Sequence, residues 1–176
     1  MGQQNSNMQK ILFTTISLLK NNTYEDITIK DICTAAGISR QTFYNYFKSK
    51  DEIFKVFFRD LVEKGEVFSP DKPLEYYFSD RYLYDIISLY DKYSDIFIAL
   101  YKQDILWYLG KEFVSAHKNA LFDKIPDPYI NKYRNYFYLY SYLTISYICL
   151  EWIKTGKKET KEELIEMLKY FSHFRM

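Results

Sequence analysis

The sequence predicts an all-α chain, on three observations. Apolar residues recur at spacings of three and four through most of its 176 residues, the period of a single helix face. No segment alternates apolar and polar residues around the Asn-Gly or Asp-Gly dipeptides that join strands. Capping residues, Gly and Pro stand where the helical period breaks. Hydrophobic residues make up 48% of the chain and charged residues 27%, a balance that supports a buried core and excludes a largely disordered polypeptide. The length suits one generous domain or two small ones.

Met1 to Met8 is polar and lacks the basic-then-apolar order of a signal peptide, so it is expected to be a short flexible leader. A first helix is expected from Met8 to Lys20, with Ile11, Leu12, Ile16 and Leu19 facing inward and a break at Asn21-Asn22-Thr23. Thr28 opens the second: its hydroxyl can accept the amides of Lys30 and Asp31, and Asp31 can answer as the partner of a capping box. Ile29, Ile32, Cys33 and Ala36 form the buried stripe of that helix, and Gly37 gives the backbone freedom for a sharp turn. Ser39 then caps a short third helix that runs to about Phe47.

Ser49 and Glu52 form a second capping box, for a fourth helix over 50–67 lined by Ile53, Val56, Phe57 and Leu61. Ser69-Pro70-Asp71-Lys72-Pro73 is the clearest breaker and the expected boundary between a head (1–50, extending into the linking helix 50–67) and a body (74–176). In the body, helices are expected at 74–92, 94–103, 105–123, 128–155 and 160–174. Asp127 and Pro128 suit the start of the fourth of these, Gly156 its end, and Thr160 with Glu163 the start of the last. The uncharged run after Tyr136 stops at Glu151, short of the roughly 20 apolar residues a bilayer requires, and it is rich in hydroxyl groups that lipid leaves unsatisfied. No membrane span is expected.

Net charge is only +1, so overall charge does not argue for nucleic acid. Its distribution does, modestly: residues 1–50 carry +3 and the remainder −2. Two helices joined by a Gly-containing turn, the second of them short, form a helix-turn-helix, which lays its second helix in the DNA major groove. The short helix has two faces. Ile38, Phe43 and Phe47 point toward the first two helices, whereas Arg40, Gln41, Tyr44 and Asn45 share the opposite side. Arg bonds bidentately to guanine and Gln or Asn to adenine, and the methyl of Thr42 suits a thymine methyl. Tyr44 and Tyr46 can donate to phosphates, as can Lys50 and the hydroxyl of Thr28, each beside a helix N-terminus. Ser39, as the cap, completes the DNA-binding set.

Residues 10–56 resemble the DNA-binding domain of the TetR/AcrR family of bacterial regulators. The matching segments are Thr28-Ile29-Lys30-Asp31-Ile32-Cys33, Ala36-Gly37-Ile38-Ser39, Thr42-Phe43-Tyr44-Asn45-Tyr46-Phe47 and Lys48-Ser49-Lys50-Asp51-Glu52-Ile53. Tyr46 stands where His is common in the family and Cys33 where Ala is common; Tyr still offers a donor and Cys is a small apolar residue. The resemblance implies DNA contacts from Thr28, Arg40, Gln41, Thr42, Tyr44, Tyr46 and Lys50. It also implies a fold of an N-terminal three-helix helix-turn-helix domain plus a C-terminal helical ligand-binding and dimerisation domain.

The expected partners are a palindromic double-stranded DNA operator, a second copy of the chain and a small-molecule effector; the expected role is that of a ligand-responsive cytoplasmic repressor. Homodimerisation has support in the residues themselves. The helix near 128–155 is apolar around much of its circumference, and that at 160–174 adds the stripe Leu164, Met167, Leu168 and Phe171. For the effector there is composition but no motif. The chain holds 19 Tyr, 14 Phe and 2 Trp, many of them between Tyr76 and Tyr108. Such residues either fill the core or cage a cationic ligand with help from Asp85 or Asp104. Trp107, Tyr108 and His117 are the candidate ligand contacts, with core packing or surface exposure the plainer alternative for His117.

Cys33 and Cys149 lie in apolar helical patterns without CxxC spacing and read as core residues. No metal site, cofactor or catalytic residue is expected. A Gly-rich phosphate loop, GxSxG, HExxH and metal-spaced Cys/His clusters are all missing from the sequence, and there are only two histidines. The alternatives are a co-regulator of the same fold that acts through protein contacts and, less in keeping with these residues, a small helical enzyme.

Overall fold

The computed structural model describes residues 2–63, 72–106 and 125–173, and every regular element among them is helical. The head consists of α1 (Gly2–Leu18), α2 (Ile29–Ala36), α3 (Arg40–Tyr44) and the start of α4 (Lys50–Glu63). The helix-turn-helix arrangement expected from the sequence is present. Thr28 accepts the amide of Asp31 while the Asp31 carboxylate accepts the Thr28 amide, closing the capping box at 3.2 and 2.9 Å. Gly37 adopts φ +61°, and the amides of Gly37 and Ile38 close on the carbonyls of Thr34 and Cys33, a Schellman turn that ends α2.

Two local expectations need correction. The residues before Met8 are the first turns of α1 and not a leader, because Gln is a good helix former and no Pro or Gly interrupts the segment after Gly2. A polar segment can still be helical, because a helix satisfies its backbone whether or not one face is apolar. The Glu52 carboxylate, in turn, accepts from the amide of Lys48 and not from that of Ser49, one residue upstream of the expected box.

α4 connects the head to the body. The expected stripe of Ile53, Val56, Phe57 and Leu61 is buried, and so are Phe54 and Phe58, which the single-face reading left out. These additional rings are accounted for by the body. Phe57 meets Tyr93 edge-on at 5.2 Å, and Phe58 meets Phe97 at 6.0 Å. One continuous core therefore runs from Ile11 in α1 through α4 to Leu168 near the C-terminal end.

The body contains α5 (Leu74–Tyr77), α6 (Asp80–Lys92), α7 (Ser94–Lys102), α8 (Pro128–Lys132), α9 (Arg134–Lys154) and α10 (Lys161–His173). The helix expected over 74–92 is divided because Ser79 caps a new start at Asp80, its oxygen accepting the amide of Tyr82. The long helix expected over 128–155 is divided at Tyr133, whose ψ of 24° departs from the helical value. Asp127 with Pro128, Gly156, and the Thr160–Glu163 box stand where the sequence placed them. The helix expected at 105–123 falls almost wholly outside the described residues. Asp91 on α6 binds Lys157 at 2.6 Å and Lys161 at 3.1 Å, holding the turn after α9 and the start of α10 against α6. Among the described residues no helix is long and apolar enough to cross a membrane. Cys33 and Cys149 are both buried, and burial pushes the Cys149 thiol up to about 12.

Candidate nucleic-acid interface

α3 is fixed from one side and open on the other. Phe43 is 0% exposed and Phe47 2%, anchoring the helix on α1, α2 and α4. Arg40, Gln41, Tyr44 and Asn45 are exposed on the opposite side. Tyr44 keeps 52% of its surface open although its ring meets Phe43 edge-on at 5.6 Å.

Hydrogen bonds within this face fix the side chains. Ser39 accepts the amide of Thr42 at 3.0 Å as the helix cap, and its hydroxyl lies 2.9 Å from that of Thr42. Gln41 Nε2 donates to Asn45 Oδ1 at 3.4 Å, so the two amide groups present a joined donor–acceptor edge one helical turn long. No ion pair binds the Arg40 guanidinium among the described residues, and Lys30 and Lys48 of the head are also exposed.

Three of the sequence-derived contact residues are engaged within the protein. The Thr28 hydroxyl donates to the Asp31 carboxylate at 2.6 Å, which holds that carboxyl below its ordinary range. The first-turn amides of Ile29 and Lys30 lie outside the helical ladder and face outward. Tyr46 is half-buried, and its hydroxyl accepts from Asn7 Nδ2 at 3.3 Å. Lys50 reaches under the loop before α2 and donates to the carbonyls of Tyr24, Glu25 and Ile27. This internal use of Lys50 was not readable from its position at a helix start. The signal that could have suggested it is a 10-residue connection, 19–28, whose carbonyls need donors once the loop is folded against α4.

The proposed effector contacts Trp107, Tyr108 and His117 lie outside the described residues. Of the two acidic candidates, Asp85 is taken: Arg81 pairs with it at 3.1 Å and the Tyr76 hydroxyl donates to it at 2.8 Å. Burial, reinforced by that carboxylate, pushes the Tyr76 hydroxyl up to about 12.

A second exposed surface lies on α9. Tyr136 and Tyr140 are 74% and 66% exposed, and Tyr147 follows them on the same face. Tyr170 and Phe171 are likewise exposed on α10. Sequence periodicity marks the 128–155 helix as apolar around much of its circumference and gives 160–174 one apolar stripe, but does not single out this tyrosine face.

Comparison with known proteins agrees with the head geometry. The family model described as "Bacterial regulatory proteins, tetR family" matches residues 11–56. The dhaKLM operon transcriptional activator DhaS of Lactococcus lactis is 40% identical over 57 residues, which is 31% of this chain and 30% of that protein. The transcriptional regulator EthR of Mycobacterium tuberculosis is 37% identical over 57 residues, 32% of this chain and 26% of that protein. These matches span less than a third of either relative. In three dimensions the likeness extends through the body. A TetR transcriptional regulator from Streptococcus agalactiae superposes with a TM-score of 0.60 at 24% identity, covering 96% of this chain and 93% of that one. The dihydroxyacetone kinase operon activator DhaS superposes with a TM-score of 0.57 at 21% identity over 94% and 93% of the two chains. At such identities the body shares a fold with these proteins.

Proposed function

We propose, for a chain whose residues 11–56 match the tetR family of bacterial regulatory proteins, the role of a DNA-binding transcriptional regulator that works as a homodimer and answers to a small-molecule effector. The observation that carries the reading is the division of α3: Phe43 and Phe47 buried beneath it, and Arg40, Gln41, Tyr44 and Asn45 open above. In the major groove these side chains read base edges. The Thr42 methyl suits a thymine methyl, Thr28 and Tyr46 serve phosphates at the margins, and Ser39 holds the helix start in place.

The exposed tyrosines of α9 and the aromatic end of α10 support pairing of two copies. Aromatic surface of this extent is costly to leave in water and favourable to bury against itself. A two-fold pair places two recognition helices about 34–36 Å apart, one turn of DNA, and so calls for a near-palindromic operator. Whether such a regulator represses or activates depends on where its operator lies relative to the promoter.

The test is selection from a pool of random duplexes followed by a mobility-shift titration across salt concentrations. The expected result is an enriched two-fold-symmetric sequence bound with a steep salt dependence, and loss of its binding in Arg40→Ala and Tyr44→Ala. Failure to enrich any sequence at low salt overturns the reading.

A further inference from the structure

The first turns of α1 carry a polar side chain to the end of α3. Asn7 and Tyr46 are 39 residues apart in sequence, and both are half-buried. The Asn7 amide Nδ2 donates to the Tyr46 hydroxyl oxygen at 3.3 Å. Tyr46 is itself placed by the core. Its backbone amide donates to the Phe43 carbonyl at 2.9 Å, and its ring lies 6.4 Å from that of Phe47, which is 2% exposed. With backbone and ring held, rotation of the hydroxyl is the main freedom left to this side chain.

A phenol oxygen has one proton to give and two lone pairs to receive with. Conjugation with the ring keeps the O–H close to the ring plane, so the proton has two places to lie. On the Asn7 side it would meet the amide hydrogen, so it lies on the side away from Asn7. Among the described residues no hydrogen bond takes that proton. The other hydroxyl expected to serve a phosphate is in the opposite state, since Thr28 donates its proton to Asp31 at 2.6 Å. Tyr46 is therefore the hydroxyl with a proton to offer, and a phosphate oxygen, which accepts and does not donate, is its complement on DNA.

We propose that Asn7 is a positioning residue for DNA binding: by donating to Tyr46 it sets the Tyr46 hydroxyl as a donor to a backbone phosphate. The proposal deepens the DNA-binding reading and rests on it for the identity of the acceptor. The polarity of the Asn7 amide is what matters. A carboxylate in the same place, being an acceptor only, would draw the proton to itself and leave the phosphate facing lone pairs.

The test uses that reversal. Asn7→Asp is nearly isosteric and Tyr46→Phe removes the hydroxyl alone, so the wild type, both variants and the double variant are expected to stay folded in thermal melts. Affinity for the selected operator is measured by fluorescence anisotropy. Tyr46→Phe is expected to weaken binding about tenfold in the wild-type background, as for a lost hydrogen bond to a charged group. The salt slope should not change, because a neutral donor displaces no counterion. In the Asn7→Asp background the same change is expected to weaken binding by about twofold or less. The added negative charge is common to both chains of that comparison and cancels from the cycle. An equal loss in the two backgrounds overturns the positioning role, and no loss in the wild-type background overturns the phosphate contact.

A second measurement needs no DNA. The tyrosine doublet in the Raman difference spectrum between each chain and its Tyr46→Phe counterpart reports this hydroxyl alone. The ratio of its upper to its lower band is expected to fall in Asn7→Asp, as the hydroxyl changes from acceptor to strong donor. An unchanged ratio overturns the hold of Asn7 on the hydroxyl. Absence of operator binding in every chain is a failure of the DNA-binding reading and removes the phosphate with it, while the Raman ratio still decides the role of Asn7.

Discussion

Lys50 and Tyr24 hold each other from two directions. The ammonium lies 4.3 Å from the centroid of the Tyr24 ring and also donates to the Tyr24 carbonyl, with further bonds to the carbonyls of Glu25 at 3.2 Å and Ile27 at 2.9 Å. The Tyr24 hydroxyl returns to the start of α4 by donating to Asp51. The loop before α2, and with it the orientation of the helix-turn-helix, is thereby tied to the helix that enters the body.

Lys50→Met is therefore expected to lower the stability of the chain by about 1–2 kcal/mol, because it keeps the aliphatic stem but leaves carbonyls without their donor. Chemical denaturation measures this. If Lys50 served only to contact phosphate, stability would be unchanged and only the salt slope of DNA binding would fall, by about one unit.

Neighbouring aromatics on α3 should separate folding from binding. Phe43→Ala removes a ring that is 0% exposed and is expected to cost about 3–5 kcal/mol, enough to unfold the head. Tyr44→Ala removes a ring that is 52% exposed and is expected to leave the melting temperature within a degree or two while abolishing tight operator binding. Circular dichroism melts and fluorescence anisotropy on the same preparations check both. A Tyr44→Ala protein that binds as well as the wild type removes Tyr44 from the interface.

Gly37→Ala is expected to destabilise by about 1 kcal/mol. The position has φ +61°, but an added Cβ would meet nothing within 4 Å, so the penalty is that of the backbone alone. Gly37→Asn should recover part of the loss, and denaturant midpoints for the pair measure it.

Asp91 gives the chain an acid-sensitive clamp. Its hydrogen bond from Lys157, with that from Lys161, holds the carboxyl below its ordinary value of 3.8. The depressed folded-state value means the contribution is fully present above that ordinary value and is lost as pH falls below it through the folded one. Asp91→Asn should therefore lower stability at neutral pH and flatten the acid limb of a stability–pH profile below about pH 4. An acid limb identical to the wild type would show the clamp is idle.

Tyr136→Glu combined with Tyr140→Glu should yield a folded monomer. Both rings are mostly in water in the single chain, at 74% and 66% exposure, so helix content is expected to hold while charge prevents pairing. Sedimentation equilibrium distinguishes this from a surface that plays no part in assembly, which would leave the oligomeric state as it was.

The local devices of the head were written in the sequence, because each depends on residues within one helical turn. Thr28 with Asp31, Gly37, Ser39 with Thr42, and the buried Phe43 and Phe47 follow from spacing and chemistry alone, and with them the polar face of α3. What periodicity could not supply is which distant groups meet. The second buried face of α4 exists because Tyr93 and Phe97 lie against it, Lys50 turns inward because the 19–28 loop passes over it, and Tyr24 is held by Gln103 from 79 residues away. Among two acidic candidates of equal standing in the sequence, only packing decided that Asp85 is satisfied by Arg81 and Tyr76 while Asp104 stays exposed at the turn after α7. Hydrogen bonding over a few residues is a local property of the chain; the pairing of a carboxylate, an ammonium or a backbone amide with a group far along it is set only when the core closes.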